Sequence, residues 1–226
     1  MASENYLLKI TLMNIKHPVV TRTLSVPKDT TFHKFHLAIQ IAFGWGNCHL
    51  YNFTVLEPLP PTRRRMSYPR IILTLEEQPE LNEWTEPAPL KSSGVKLQQV
   101  LDNPRYAGNP MEYLYDFGDN WDHKIEMTGT ETGNGKIKCV AGEGHGVAED
   151  VGSVPGWERL KSIYRKVLGV PDRELAIKNL PKDEQNSIEW YEDSCTNGDS
   201  SGLDPDQWSK DKVNAELDGG FDMYCE

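Results

Sequence analysis

"YDFGDNWDHKI", Tyr115 to Ile125, sets three aspartates and a histidine among aromatic residues around a single glycine. Before the glycine, Met111, Tyr113, Tyr115 and Phe117 alternate with polar positions; after it, Trp121, His123, Ile125 and Met127 do the same. Period-two alternation on both sides of a polar turn predicts a β-hairpin. A two-residue Gly118–Asp119 loop would pair Asp116 with Trp121 and mix polar with aromatic side chains on one face. A three-residue Gly118–Asn120 loop pairs Phe117 with Trp121 and Tyr115 with His123. Register follows the pairing that keeps one face apolar, so the three-residue loop is expected. His123 then lies among aromatics on the inner face, Asp116 and Asp122 point to the other face, and Asp119 stands at the turn.

Working outward, Tyr6 to Leu12 alternates, turns near Asn14 to Pro18, and continues as Val19 to Val26, a second hairpin. Arg22 shares the apolar face of Val20, Leu24 and Val26, either as a snorkelling edge residue or as the buried partner of a carboxylate. Thr30 or Thr31 caps a helix running to about Phe43, with Gly44 placed to stop it. Its stripe of Phe32, Phe35, Ile39, Ala42 and Phe43 includes His36. After "GWGNCHL" the alternation of Tyr51, Phe53 and Val55 predicts a strand. Residues 57–91 read as an irregular insertion rich in proline, arginine and glutamate, ordered only at "IILTL", and "GVKLQQVL" as a short helix. The glycine-rich stretch 129–157 reads as mostly loop. Leu160, Ile163, Tyr164, Val167 and Leu168 then mark a helix closed by Gly169 and Pro171. "SCTNGDSSG", residues 194–202, reads as a flexible break in an acidic C-terminal region that is flexible from about 192. The sum is a single α+β domain spanning 1–226.

Composition narrows the function classes. The 226 residues carry 24 Lys and Arg against 34 Asp and Glu, a net charge of −10. Non-specific nucleic-acid binding depends on neutralising phosphates, so a nucleic-acid partner is not expected. Arg63 to Arg65, the one dense basic stretch, reads as a solvated loop between prolines. No apolar run approaches the ~20 residues of a membrane span, and the N-terminus lacks a secretory pattern. Cys48, Cys139, Cys195 and Cys225 are widely spaced and form no CxxC, so free thiols in a reducing, cytoplasmic setting are expected.

In the expected register His123 needs a carboxylate from outside its hairpin. The next loop supplies Glu143, Glu149 and Asp150, with His145 among them. A carboxylate beside an imidazole raises its pKa and fixes its tautomer, which suits acid–base work near neutrality. Asp119, His123 and Glu149 could instead hold a divalent metal, since imidazole and carboxylate suit zinc, manganese or iron. The structural alternative has Glu149 and Asp150 capping the helix that starts near Pro155 and Asp119 serving its turn. Both readings stand at this point.

These residues also carry a likeness. "YDFGDNWDHKI", the partial match "AEDVGSVPGW", the opening "YLLKITL", "VVTRTLSVP", "FHLAIQIAFGW" and "HLYNF", and the late "LDPDQWSKDKVNAEL" resemble the Ri-plasmid open-reading-frame-three-like family. Some members carry a TnpR label as insertion-element passengers, which reflects gene neighbourhood; no serine-recombinase pattern is present here. The resemblance covers about residues 5–217 and implies a compact α+β domain with a curved, mostly antiparallel sheet and packed helices. Matching positions are Arg22, His36, Trp45, His49, Asp116, Asp119, Trp121, His123, Glu149 and Asp150. Members usually carry Cys-Pro-Pro before the Glu-Asp pair. Here Gly146-Val147-Ala148 stands in its place, so any role of that cysteine is absent.

The reading that follows is a small-molecule enzyme without an organic cofactor, of isomerase, cyclase or dehydratase type. His123 is the expected acid or base, oriented by Glu149 or Asp150, with Arg22 stabilising developing negative charge. Tyr113, Tyr115, Trp121, Asp119, His36 and Trp45 are the expected substrate-binding lining. The rivals are a non-catalytic binding or adaptor module and a metal-dependent hydrolase.

Overall fold

A computed structural model describes residues 3–58, 68–82 and 84–220. The basic stretch Arg63 to Arg65 and Cys225 lie outside the described residues. The opening hairpin is β1 (Ser3–Leu12) and β2 (Val20–Pro27), followed by α1 (Phe32–Phe43). Then come β3 (Tyr51–Leu56), β4 (Ile71–Glu76), β5 (Leu90–Lys91), α2 (Leu97–Leu101), β6 (Met111–Tyr115), β7 (Trp121–Gly133) and β8 (Lys138–Glu143). The chain continues through α3 (Ser153–Val167), α4 (Arg173–Lys178), α5 (Lys182–Asp193) and α6 (Lys210–Gly219). The strands form one sheet in the order β5-β4-β3-β6-β7-β1-β2-β8, antiparallel throughout except for the β4–β5 pair. The fold is α+β. No helix among the described residues is long and apolar enough to cross a membrane.

Helix α1 begins where its sequence asks it to. Thr31 accepts a hydrogen bond from Lys34 N at 3.2 Å, and Gly44 ends the helix in the left-handed conformation at φ 77°. Its buried face packs Phe32 and Phe35 onto Phe53 of β3, with ring centroids 5.1 and 5.7 Å apart.

The central hairpin keeps the expected face and loses the expected register. Tyr115 pairs with Trp121 and Tyr113 with His123, so the loop has five residues, Asp116 to Asn120, and Phe117 leaves the sheet half-exposed. The reason is local. Asp116 Oδ1 accepts from Gly118 N at 2.8 Å, Asn120 N donates to the Asp116 carbonyl at 2.7 Å, and both residues take left-handed backbone. An Asp that hydrogen-bonds its own backbone two residues on competes with the ladder and wins here.

Two other expectations are corrected, and a third segment is tied down at one residue. The 129–157 stretch is not mostly loop, because β7 runs to Gly133 and β8 pairs with β2. Backbone hydrogen bonds define that edge strand, and no apolar period announces it. Arg22 is neither an edge residue nor a carboxylate's partner. It lies on β2 between β1 and β8, fully buried, and donates to the carbonyls of Ala42, Thr21, Glu143 and Gly144 at 2.6–2.9 Å. Phe43 and Trp208 flank the guanidinium, whose pKa burial lowers to about 10, still cationic at neutral pH. Its charge meets the carbonyl end of α1, where a cation is favoured. Finally, the stretch 194–202 is anchored at Asn197. Asn197 donates to the carbonyls of Gly44 and Val147 at 2.8 and 2.9 Å and accepts from Glu149 N at 2.8 Å.

The segment after β8 therefore runs tight against the end of α1. A Cβ on Gly146 would sit 1.9 Å from the Phe43 carbonyl oxygen, so nothing larger than glycine fits. Gly146→Ala should lose about 3 kcal/mol, the upper range for overpacking. Gly94→Ala, where a Cβ meets nothing within 4 Å, should stay within about 0.5 kcal/mol of wild type. Urea denaturation of the two variants checks this, and equal midpoints would refute the close approach.

Candidate functional site

Three segments converge beside the C-terminal end of α1. The first is the loop from Gly44 to Leu50, in which buried Trp45 packs on Tyr115 and Trp121 with centroids 5.1 and 5.7 Å apart. The second is the end of β6 with its five-residue loop. The third is the segment after β8 that carries Glu149 and Asp150. Asn47, Asp116 and Asp150, one from each segment, all have positive φ, between 55° and 57°. Asn and Asp tolerate this conformation better than other side-chain-bearing residues.

Glu149 is the centre of the convergence. Its side chain is fully buried. Oε1 accepts from Gly46 N at 2.7 Å and from the Tyr115 hydroxyl at 3.0 Å. Tyr115 in turn accepts from Cys48 N at 3.2 Å. Burial pushes the Glu149 carboxyl up, against the downward pull of Gly46 N–H, the Tyr115 hydroxyl and His49. The Tyr115 hydroxyl is pushed far up, first by burial and then by the neighbouring carboxylate, so it remains a donor.

His49 faces this group. Its Nε2 lies 3.2 Å from Asp150 Oδ1, 3.7 Å from Glu149 Oε2 and 3.8 Å from Asp116 Oδ2. None of these contacts is aligned as a hydrogen bond, and His49 Nε2 and Glu149 Oε2 are both buried atoms without a hydrogen-bond partner among the described residues. The other face of the residue opens on a cleft of about 330 Å³, whose wall continues through Phe117, Asn47, His36 and Tyr51 to His33 and Glu77. At that far end His33 Nδ1 lies 3.0 Å from the Tyr51 hydroxyl and 3.2 Å from Glu77 Oε2, which accepts from Ser92 at 2.7 Å.

The expected site residues distribute as follows. Glu149 and Asp150 meet at one cluster, as the sequence reading required, but around His49 and with Asp116 rather than around His123. Asp116 points inward because its left-handed backbone turns the chain out of the strand. His123 is fully buried between Phe43 and Tyr113, with Nδ1 3.2 Å from the Tyr113 carbonyl. Asp119 holds the hairpin to α3, accepting from Gly152 N at 3.0 Å while its carbonyl takes the Ser153 hydroxyl at 2.8 Å. The alternative metal set of Asp119, His123 and Glu149 is thus dispersed. Arg22 belongs to the carbonyl staple described above. Trp45, Trp121 and Tyr113 are core, and Tyr115 positions Glu149. His36 alone of the expected lining borders the cleft. It stacks on Tyr51 at 3.5 Å and bonds through both nitrogens, to the Tyr113 hydroxyl and to Asn47. Glu149 and Asp150 do not cap α3, which starts at Ser153 after Gly152. His49 was a position of family likeness that the reading of the residues left unassigned. Its one local signal is a histidine just past a Gly-Trp-Gly-Asn turn.

The architecture defines a class: an α+β protein with a histidine–carboxylate cluster at the mouth of a polar cleft. A family model described as plasmid pRiA4b ORF-3-like protein matches residues 4–210, and the chain belongs to that family. It is 30% identical over 153 residues to the uncharacterized protein y4hQ of Sinorhizobium fredii, covering 67% of this chain and 68% of that protein. The crystal structure of the protein of unknown function MM3350 from Methanosarcina mazei Go1 shares the fold. The TM-score is 0.65 at 22% identity, over 94% of this chain and 99% of the other.

Two buried histidines fix a pH response. Burial lowers His36 to about 3 and His123 to about 4. An unfolded histidine titrates near 6.5, so below that pH the unfolded chain binds protons that the native chain refuses. Their contribution is intact above pH 6.5 and is lost as pH falls toward 4. Between pH 6.5 and 5 each should remove about 2 kcal/mol. Urea unfolding of wild type and His123→Gln at both pH values checks this. The variant should lose roughly half of the histidine-dependent decline, and an unchanged decline would show that His123 is not buried neutral.

Proposed function

We propose that this protein is a small-molecule enzyme whose substrate site is the 330 Å³ cleft and whose reaction centre is the His49 cluster at its end. The observation that supports it is the convergence of one imidazole nitrogen and three carboxylates on a point where none of them is hydrogen-bonded to another. A fold that wanted only to dock two loops would have aligned those groups as hydrogen bonds. Such a cluster takes a proton from a substrate or from a water, the first step of isomerisation, dehydration or hydrolysis. On the cleft wall His36 holds Asn47 in place through its Nε2, and Asn47 borders the space a polar ligand would fill. The reading includes no organic cofactor and sets the three free thiols among the described residues, Cys48, Cys139 and Cys195, in a reducing cytoplasm.

A second reading, an adaptor module, draws on Tyr68 and Trp84, which stand 92% and 88% exposed within the 57–91 insertion. Large aromatic groups held in water are typical of contact surfaces.

One comparison separates the readings. Wild type, His49→Ala and His123→Gln are incubated with a small-metabolite extract and followed by mass spectrometry. The enzyme reading expects compounds consumed by wild type and by His123→Gln, with rates at least 100-fold lower for His49→Ala. Loss of turnover only in His123→Gln would restore that residue as the acid or base. No compound consumed by any of the three would favour the adaptor.

A further inference from the structure

We propose that His49 Nε2, Glu149 Oε2, Asp116 Oδ2 and Asp150 Oδ1 are the ligands of a divalent transition-metal ion. The ion gives the reaction centre its base, so its catalytic use rests on the reading above; its binding does not.

The spacing comes first. The three carboxylate oxygens stand 3.2, 3.7 and 3.8 Å from His49 Nε2, and the donor atoms of His49, Asp116 and Asp150 all lie within 4.8 Å of one another. Ligands bound at ~2.1 Å stand ~3.4 Å apart at tetrahedral angles and ~4.2 Å apart when opposite. The donors form two overlapping triads that share His49, one with Asp116 and Asp150 and one with Glu149 and Cys48, so Glu149 and the aspartates must draw together around a bound ion.

The unpartnered atoms are the independent observation. Glu149 has no exposed side-chain surface, and its two oxygens are treated differently. Oε1 has both of its donors, Gly46 N–H and the Tyr115 hydroxyl, while Oε2 has none and faces an equally unpartnered His49 Nε2. A buried carboxylate oxygen without a protein donor carries a penalty that native structures remove by pairing. One cation satisfies Oε2 and Nε2 together. The donors on Oε1 then act as the groups that aim a ligating carboxylate, as outer-shell partners of metal sites commonly do.

Charge agrees. The ion-pair contacts of Asp116, Glu149 and Asp150 run to a single imidazole. Three carboxylates around one histidine leave an excess of negative charge that a divalent ion offsets. One nitrogen and three oxygens suit manganese, ferrous iron or zinc better than calcium or magnesium. Cys48 Sγ, which also stands within 4.8 Å of the His49 and Glu149 donors, is a neighbour that a softer ion would recruit. Asp150 is the open side: its side chain is 62% exposed, so the ion would be reached from water there. A bound ion of this kind lowers the pKa of its water toward neutrality and supplies a base at physiological pH.

The test uses the full chain, purified without a metal-affinity tag and stripped by chelator. Manganese chloride and zinc sulfate are titrated separately by calorimetry, with ion content checked by elemental mass spectrometry. The expected result is one equivalent bound, with a rise in melting temperature. Asp150→Asn and Glu149→Gln should weaken binding at least tenfold. Asp150 is exposed, so its variant keeps the test decisive if Glu149→Gln fails to fold. No binding by wild type at millimolar ion, or unchanged binding by Asp150→Asn, overturns the site. Turnover that depends on His49 without bound ion would overturn the ion and leave the reaction centre standing. Bound ion without turnover of any compound would do the reverse.

Discussion

Taking a carboxylate out of water is tolerable only where the protein supplies donors in its place. Glu149 is the point where this chain meets that condition, and much of the local architecture is its consequence. The Gly46 amide is presented because α1 stops at Gly44 and the chain turns at once. The Tyr115 hydroxyl arrives because β6 ends with that residue facing inward. The backbone of Glu149 is gripped from behind by Asn197, and Cys195 Sγ lies 3.6 Å from its carbonyl. A helix end, a strand end and a distant loop are thereby fixed relative to one another by the requirements of one side chain.

Arg22 is the opposite solution on the far side of the same segment. It is a buried cation with no carboxylate, satisfied by four carbonyls and two aromatic faces. Its carbonyls come from the end of α1, from its own strand and from the turn after β8. The two buried charges therefore bracket the path from Glu143 to Asp150, the cation where the path leaves the sheet and the anion where it reaches the cluster. Between them the chain has little freedom, and the glycine at 146 is what lets it pass the helix.

Much of this fold was legible because it rests on periodicity. The opening hairpin, α1 with its Thr31 and Gly44 caps, β3 and the core of α3 all follow from apolar spacing and local capping. What escaped was set by other forces. The five-residue loop of the central hairpin depends on Asp116 bonding its own backbone, and alternation cannot reveal that. β8 exists because β2 offers a free edge, whatever its own composition suggests. The cluster was half legible: Glu149 and Asp150 stood out as acidic residues in a loop, and Asp116 as one of a crowded set. Their partner was misassigned because His123 sits in the conspicuous motif, whereas His49 is brought in by the tertiary path after α1. An inner-face position in a strand buries His123 in the core, and nothing in one dimension sets it apart from a histidine beside carboxylates.

The Asn197 clamp sets a lifetime on the molecule. Its neighbour Gly198 has no room for a side chain, since a Cβ would lie 1.8 Å from the Tyr191 carbonyl oxygen. Tertiary structure thus imposes an Asn-Gly pair, the dipeptide whose side-chain amide is most readily lost through attack by the following backbone nitrogen. Loss of that amide would turn two donors toward the Gly44 and Val147 carbonyls into an anionic oxygen facing them. While the clamp is closed, four hydrogen bonds hold the side-chain amide, two from its nitrogen and two to its oxygen, one of the latter from Cys195 Sγ. Opening of the clamp would release the amide to that attack.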